Sequence, residues 1–243
     1  MKEAESSEFI KKSQIKSRTR VANHGEVFTA EREVKAMCDL VKDECERIES
    51  RFLEPACGNG NFLTEVLARK LESVKRIYGK SKSDFEQYSF LALTSIYGVE
   101  LLSDNASECR KRLFAQYKDF YEKTTKSSLP TKLESAVNFV LEKNILCGNA
   151  LSLKKVDDNQ KDTAEAIIFS EWSFVKSGMI KRREFRLDVL LAKEDVQKQS
   201  FDLFDDSPFG QDYWMPDPIT KELIPKPIKE YPIVNFLEVE KAE

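Results

Sequence analysis

Two glycines and a carboxylate lie close together in residues 52–63, which read Phe-Leu-Glu-Pro-Ala-Cys-Gly-Asn-Gly-Asn-Phe-Leu. Gly58 and Gly60 lack a Cβ, so the main chain there can adopt positive φ and a ligand can approach the backbone closely. The carboxylate of Glu54, four positions before Gly58, would repel a pyrophosphate but attract an amino group or another cation. The stretch therefore predicts a binding loop for a nucleotide-like ligand that is held by something other than its phosphates.

The loop departs from two common phosphate-binding patterns. A P-loop needs a Lys-Ser or Lys-Thr pair after its last glycine, and a dinucleotide-binding loop needs a third glycine at a fixed offset. Asn61 and Phe62 occupy those positions in this chain. An ordinary glycine turn in an α/β domain is the alternative interpretation of the same residues.

The run from Glu54 to Phe62 resembles motif I of the S-adenosylmethionine-dependent methyltransferases, in the form Glu-Pro-Ala-Cys-Gly-x-Gly-x-Phe of DNA adenine-N6 methyltransferases. The resemblance implies S-adenosylmethionine as the cofactor, no metal, and direct methyl transfer from the sulfonium to adenine N6. It also implies a Rossmann-like class I methyltransferase fold of the α/β class, with helices on both faces of a twisted, mostly parallel sheet. The cofactor contacts that it implies in this run are Glu54, Pro55, Ala56, Cys57, Gly58, Gly60 and Phe62.

Three further segments match the order of motifs in the family members in which motif X comes first. Phe28 and Thr29, before the first predicted helix, resemble motif X on the methionine side of the cofactor, although a role in starting that helix explains them too. Glu100 ends a predicted strand, where an acid accepts hydrogen bonds from ribose hydroxyls; Leu101 follows it. A solvated acid at a strand end is the alternative for Glu100.

Asn149 and Ala150 follow the third predicted strand, where the family carries Gly-Asp-Ala and the Asp accepts a hydrogen bond from the adenine amino group. The side-chain oxygen of Asn149 can accept the same bond with less negative charge. The resemblance therefore implies that both residues contact the adenine of the cofactor.

The catalytic motif departs from the family pattern. After their fourth strand, adenine-N6 methyltransferases have Asn, Asp or Ser, then Pro-Pro and an aromatic residue, whereas residues 170–174 here read Ser-Glu-Trp-Ser-Phe. Ser170 and Glu171 are candidate acceptors for the hydrogens of the target amine, Glu171 is also a candidate base, and Trp172 is a candidate for stacking on a flipped base. The alternative is a lapsed active site that these side chains fill.

Basic residues interleaved with aromatic ones follow this motif. Lys181, Arg182, Arg183 and Arg186 are therefore predicted to hold a DNA phosphate backbone, with a solvated basic face as the alternative. The net charge of −3 does not favour nucleic-acid binding by the chain as a whole, so DNA contact needs this local patch or a partner protein.

Periodicity predicts the elements that must position these residues. We expect a first helix at about 29–50, with Thr29 as its N-cap and with an inner face of Val34, Met37, Val41, Cys45 and Ile48. Further helices are expected to begin at residue 61, to span 84–94, 103–121 and 187–199, and to end at about residue 141. Strands are expected at 52–53, 95–100, within 144–151 and at 164–169, the last as the fourth strand of the parallel sheet.

Length and composition predict three regions: a basic arm at 1–20, a methyltransferase-like domain at 21–199 and a proline-rich extended segment at 200–243. The last segment is expected to wrap along its own domain or another subunit, with residues 231–239 adding an edge strand. Five cysteines without a C-x-x-C pair indicate neither a disulfide framework nor a zinc site. No apolar run has the length of a membrane span, so we expect a cytoplasmic protein without membrane contact.

Two functions follow from these observations. The first is an active methyltransferase with a divergent catalytic loop, acting on adenine N6 of DNA in a restriction-modification or defence system, with RNA or protein as the alternative substrate and a second subunit as a source of target recognition. The second is a non-catalytic cofactor-binding subunit that docks on a partner through its C-terminal segment. A domain that binds another adenosine ligand is a third possibility.

Overall fold

The computed structural model describes residues 16, 17, 19, 20, 22, 28–176, 178–192 and 211–242. The helices are α1 Glu31–Leu40, α2 Lys42–Glu46, α3 Asn61–Tyr78, α4 Lys82–Thr94, α5 Ser103–Thr125, α6 Thr131–Asn144 and α7 Leu187–Leu191. The strands are β1 Phe52–Glu54, β2 Ile96–Glu100, β3 Ile145–Cys147, β4 Lys154–Val156, β5 Asp162–Ala166, β6 Ile168–Lys176, β7 Met179–Arg186, β8 Trp214–Pro216, β9 Leu223–Pro225, β10 Lys229–Glu230 and β11 Val234–Asn235. Two 3-10 helices span Gln211–Tyr213 and Phe236–Lys241.

A three-stranded parallel sheet in the order β1-β2-β3 lies at the centre of the fold. Every residue of β2 is buried, as expected for the central strand of a parallel sheet that is covered by helices. Helix α3 contributes Leu63, Val66, Leu67 and Leu71 to the core, so the helical periodicity after the glycine loop is confirmed. The α/β class and a parallel sheet with these three strands are likewise confirmed.

The segment expected to form a fourth parallel strand does not join the parallel sheet. Residues 164–169 are divided at Ile167: the first part belongs to β5, which pairs with β4, and the second begins β6, which pairs with β7. Both pairs are antiparallel, so the prediction of a mostly parallel sheet is wrong beyond β3. The physical reason is local: β6 pairs with the next strand along the chain through a short hairpin, which antiparallel strands permit.

The helix predicted at 29–50 is interrupted at Val41, where the backbone leaves the helical region and α2 begins. The N-cap position of α1 is occupied by Ala30, in an extended conformation, and no side chain of the described residues caps this helix, so the N-cap prediction for Thr29 is wrong. Val34 and Cys38 form the buried face of α1, whereas Met37 and Val41 are exposed. The buried face of α1 therefore consists of Val34 and Cys38 rather than Val34, Met37 and Val41.

Lys70, on α3, is fully buried and connects the core to the segment before β1. Its ammonium donates hydrogen bonds to the carbonyl oxygens of Arg47, Ile48 and Ser50 at 2.8, 3.0 and 2.6 Å, and it lies 5.3 Å from the centre of the Phe52 ring. Burial lowers the pKa of Lys70 to about 8. This contact fixes the point at which the chain enters β1 and the glycine loop.

The described part of the C-terminal segment packs along its own domain, which was one of the two predicted arrangements. Strands β10 and β11 pair with β7, and the ring of Phe236 lies 5.2 Å from that of Phe90 on α4. The predicted edge strand is therefore limited to Val234–Asn235, followed by a 3-10 helix. The predicted end of the last helix and the boundary at 199 lie outside the described residues.

Candidate functional site

A cavity of about 760 Å³ lies where the three parallel strands end. Because β1, β2 and β3 are parallel, the residues that follow their carboxyl ends meet at one edge of the sheet. Every predicted cofactor residue except Gly60 lines the cavity: Phe28, Thr29, Glu54, Pro55, Ala56, Cys57, Gly58, Phe62, Glu100, Leu101, Asn149 and Ala150. Residues not predicted also line it: Val34, Met37, Asn59, Asn61, Leu102, Asn105, Gly148 and Leu151.

The two glycines of the loop serve different purposes. Gly58 has φ of +52°, and a Cβ there would lie 3.3 Å from the Phe28 ring, which faces the same cavity. Gly60 has φ of +88°, and a Cβ there would lie 2.6 Å from the sulfur of Cys109 on α5. Gly58 therefore keeps the cavity wall open, whereas Gly60 allows α5 to pack beneath the loop.

Glu100 ties the end of β2 to the glycine loop. One carboxylate oxygen accepts the backbone N–H of Gly58 at 2.8 Å, and the other accepts the backbone N–H of Leu102 at 3.0 Å and the amide of Asn105 at 3.4 Å. A carboxylate offers about four acceptor directions. Glu100 therefore shapes the cavity and keeps one direction for a ligand hydroxyl.

Glu54 is partly buried in the cavity wall, and among the described residues no cationic side chain pairs with it. Burial raises the pKa of this carboxyl, while the backbone N–H of Ala56 partly offsets the effect. The side-chain oxygen of Asn59, in the same wall, is buried and accepts no hydrogen bond from the described residues. The Glu54 carboxylate is thus left for a ligand that donates hydrogen bonds or carries positive charge.

The cavity has an acceptor-rich, anionic lining. Glu54 and Glu100 contribute carboxylates, and no Lys or Arg of the described residues lines it. Lys16 lies nearby but pairs with Glu108 at 2.6 Å and donates to the oxygen of Asn105 at 2.6 Å. A ligand with phosphate groups would meet repulsion here, whereas a cationic ligand would meet attraction.

Asn149 is held in one orientation at the third strand end. Its amide nitrogen donates to Asp162 at 2.9 Å, and its oxygen accepts the backbone N–H of Leu151 at 3.0 Å. An amide oxygen has two lone pairs, so one remains for a donor from a ligand. Asp162 was missed from the sequence because it lies 13 residues further on, in β5.

The predicted catalytic residues Ser170, Glu171 and Trp172 do not line this cavity. Strand β6 starts beside Ile167, which packs on Gly148 after β3, and runs toward Asn144, which precedes β3. It therefore leads away from the edge where the cavity lies. Ser170 is buried and accepts a hydrogen bond from the guanidinium of Arg182 at 2.9 Å.

Trp172 contributes to packing and to one buried hydrogen bond. Its indole N–H donates to the oxygen of Asn144 at 2.9 Å, and the Asn144 amide donates to the carbonyl oxygens of Thr94 and Ile96. The Trp172 ring meets that of Phe139 edge to face. The structure therefore supports the alternative that this side chain fills the interior.

We expect Trp172→Phe to lower the free energy of unfolding by about 2 kcal/mol, because it leaves the buried Asn144 oxygen without its donor. Urea unfolding measures this loss. Trp214→Phe is the matched control, since the buried indole N–H of Trp214 has no hydrogen-bond partner among the described residues. A catalytic role would instead require that Trp172→Phe abolish methyl transfer while stability and cofactor affinity stay unchanged.

The four basic residues predicted to hold DNA are each engaged within the chain. Lys181 pairs with Glu230 at 2.7 Å, Arg183 pairs with Glu171, and Arg186 pairs with Asp188 at 2.6 Å. Arg182 is 3% exposed, its guanidinium lies 4.1 Å from the centre of the Tyr231 ring, and it pairs with Glu184. Arg182 is thus inaccessible to a phosphate, which corrects that part of the prediction.

The described residues of the predicted basic arm contact α5. Arg20 pairs with Asp104 at 2.6 Å, and Lys16 with Glu108. None of the helices in the described ranges is long and apolar enough to cross a membrane.

No protein-family model matches the chain, and neither a curated protein nor a solved structure matches it. The site is therefore interpreted from its own residues and geometry.

Proposed function

We propose that this chain binds S-adenosylmethionine in the cavity at the carboxyl ends of β1, β2 and β3. The observation that carries the proposal is the charge of the lining, which has two carboxylates, Glu54 and Glu100, and no Lys or Arg among the described lining residues. A sulfonium and an ammonium group on one adenosine-based ligand complement such a lining, whereas a nucleotide phosphate does not.

Each part of the cofactor would have a residue of this chain to hold it. Glu54 would attract the ammonium group, and Gly58 would leave room for the ligand beside the Phe28 ring. Glu100 would accept a ribose hydroxyl and Asn149 the adenine amino group. When bound, the cofactor supplies a methyl group on a sulfonium that a nucleophile can attack. A Rossmann-like class I methyltransferase arrangement is part of this proposal.

We further propose adenine N6 of DNA as the methyl acceptor, within a restriction-modification or defence system. The support is the resemblance of residues 54–62 to motif I of the adenine-N6 methyltransferases, together with the order of the segments that follow it. Residues that orient the target amine are not found at the cavity among the described parts of the chain.

The placement of Ser170, Glu171 and Trp172 favours a second candidate function. Because these side chains lie away from the cavity and pack in the interior or pair with arginines, the second candidate is a cofactor-binding subunit that is not catalytic by itself and takes its catalytic groups from a partner. Cofactor binding is common to both candidates and does not separate them.

Methyl transfer separates the two candidates. The chain is incubated with methyl-labelled S-adenosylmethionine and adenine-containing DNA, first alone and then with the polypeptides encoded beside it; DNA premethylated at adenine N6 is the matched control. Transfer by the chain alone supports the enzyme, and transfer only with a second polypeptide supports the subunit. Absence of transfer in every combination, despite cofactor binding, contradicts DNA adenine as the acceptor.

A further inference from the structure

The outer edge of β1 borders a second cavity that the proposed cofactor does not use. In the sheet order β1-β2-β3, β1 has a paired strand on one side only within the described part of the chain. A cavity of about 450 Å³ lies beside β1, where Arg51, Phe52 and Leu53 form one wall together with Tyr97 of β2. Consecutive side chains of a strand point to opposite faces of the sheet, and both Phe52 and Leu53 line the cavity, so the cavity reaches the edge of β1.

The backbone N–H and C=O of Leu53 are directed away from β2. Phe52 donates its N–H to the carbonyl oxygen of Ser95 on the β2 side, and successive residues of a parallel strand direct their polar groups to opposite sides. The N–H and C=O of Leu53 therefore lie on the outer edge, where the described residues give them no ladder partner. An unpaired N–H and C=O on a strand edge form a template for another extended chain.

The facing wall of the cavity is mainly apolar. It contains Phe169 from β6, Phe185 from β7, and Leu190 and Leu191 from α7. Leu53, Leu190 and Leu191 are 38, 37 and 54% exposed, which is high for aliphatic side chains that surround one hollow. Pockets lined by apolar side chains with few polar groups are the usual binding sites of proteins.

The rim of this second cavity carries one positive charge more than negative charges. The carboxylate of Glu171 is shared by Arg51, at 2.6 Å, and by Arg183, so two guanidinium groups face a single carboxylate. The Arg51 side chain is 58% exposed, so a further carboxylate can reach it. The charge therefore favours an acidic group on whatever occupies the cavity.

We infer that the outer edge of β1 binds an extended segment of a partner polypeptide that carries apolar side chains and an acidic residue. The segment would hydrogen-bond with Leu53, place apolar side chains between β1 and the leucines of α7, and pair its carboxylate with Arg51. This is strand addition, in which main-chain bonds give affinity and side-chain pockets give specificity. One end of the segment would lie beside Glu54, which also lines the cofactor cavity.

A charge-swap titration tests this inference without any cofactor, so its outcome is independent of the proposed function. The probe is a fluorescent peptide, acetyl-Asp-Val-Thr-Val-Ile-Val-Asp-amide, added to the full chain, and its matched control has Lys in place of both Asp residues. We expect the acidic peptide to bind about tenfold more tightly than the basic one. In Arg51→Glu, which changes the rim charge from +1 to −1, we expect this preference to reverse.

The main-chain bonds are tested with Leu53→Pro and Leu53→Ala. Proline removes the outward N–H without affecting the β1–β2 bonds, so we expect affinity for the acidic peptide to fall about tenfold, whereas alanine keeps the N–H and most of the affinity. If Leu53→Pro does not fold, the same test is made on the wild-type chain with the acidic peptide N-methylated at alternate residues. N-methylation removes main-chain N–H donors of the peptide, so we expect its affinity to fall.

Three results would overturn the inference: no binding of the acidic peptide at millimolar concentration, binding that is indifferent to charge and N-methylation, or a dimer of this chain that Leu53→Pro dissociates. The last result would identify a second copy as the occupant. Sedimentation of the wild-type chain and of Leu53→Pro measures it.

Discussion

Glu54→Gln is expected to weaken binding of S-adenosylmethionine about 30-fold, because it removes a charged acceptor that faces the ammonium group of the ligand. The replacement keeps the size and shape of the side chain. Glu72→Gln on α3 is the matched control, since Glu72 is exposed and lies outside the cavity lining. Equal affinities for the wild-type chain and Glu54→Gln would remove Glu54 from the ligand site.

The same substitution should not destabilise the protein at neutral pH. Burial raises the pKa of Glu54 above its unfolded value, so the folded chain holds the proton more tightly than the unfolded chain does. The contribution of this carboxyl to stability is therefore lost as pH rises through the raised pKa. We expect Glu54→Gln to be at least as stable as the wild-type chain at pH 7, with the difference vanishing below pH of about 4.

Urea unfolding of the wild-type chain and Glu54→Gln at several pH values measures this difference. Weaker binding together with equal or greater stability is the signature of a carboxylate kept for a ligand. A loss of stability in Glu54→Gln at pH 7 would instead indicate that the carboxylate holds the loop together.

Gly60→Ala is expected to lower the free energy of unfolding by about 3 kcal/mol, from a positive φ that disfavours a Cβ and from overpacking against α5. The added Cβ would lie 2.6 Å from the sulfur of Cys109, which is fully buried. Thermal or urea unfolding of the two proteins measures the loss.

Two further variants separate the causes of this loss. Gly178 also has positive φ, of +71°, but a Cβ there would have no neighbour closer than 3.7 Å, so Gly178→Ala measures the cost of the backbone alone. Adding Cys109→Ala to Gly60→Ala should restore part of the stability. If Gly60→Ala costs no more than Gly178→Ala, α5 does not pack against the loop as described.

The parts of the site that were predictable depend on local signals. An apolar pair, two glycines and a helical repeat are contiguous at residues 52–71, so strand, loop and helix follow from neighbours in the chain. The convergence of Glu54, Glu100 and Asn149 then follows from parallel strands, whose carboxyl ends share one edge. Asn59 could have been found as well, because it stands between the two glycines.

The prediction of a fourth parallel strand was wrong because the pairing partner of a strand cannot be read from its own sequence. Residues 164–174 have the composition of a buried strand, but the direction of a strand depends on its partner. The partner of β6 is β7, the next strand along the chain. Strand β6 therefore leads away from the cavity, and Ser170 and Trp172 lie outside it. The prediction for Arg182 was wrong for a related reason: side chains alternate along β7, and Arg182 is on the buried side.

Calorimetric titration of S-adenosylhomocysteine and of ADP into the wild-type chain tests the central claim most directly. Both ligands carry adenosine, but one adds a zwitterionic amino acid, with one ammonium and one carboxylate group, and the other adds only negatively charged phosphates. We predict one site for S-adenosylhomocysteine and at least about tenfold weaker binding of ADP, because the cavity presents carboxylates and no cation of the described residues. Equal or tighter binding of ADP, or no binding of S-adenosylhomocysteine, would contradict the account.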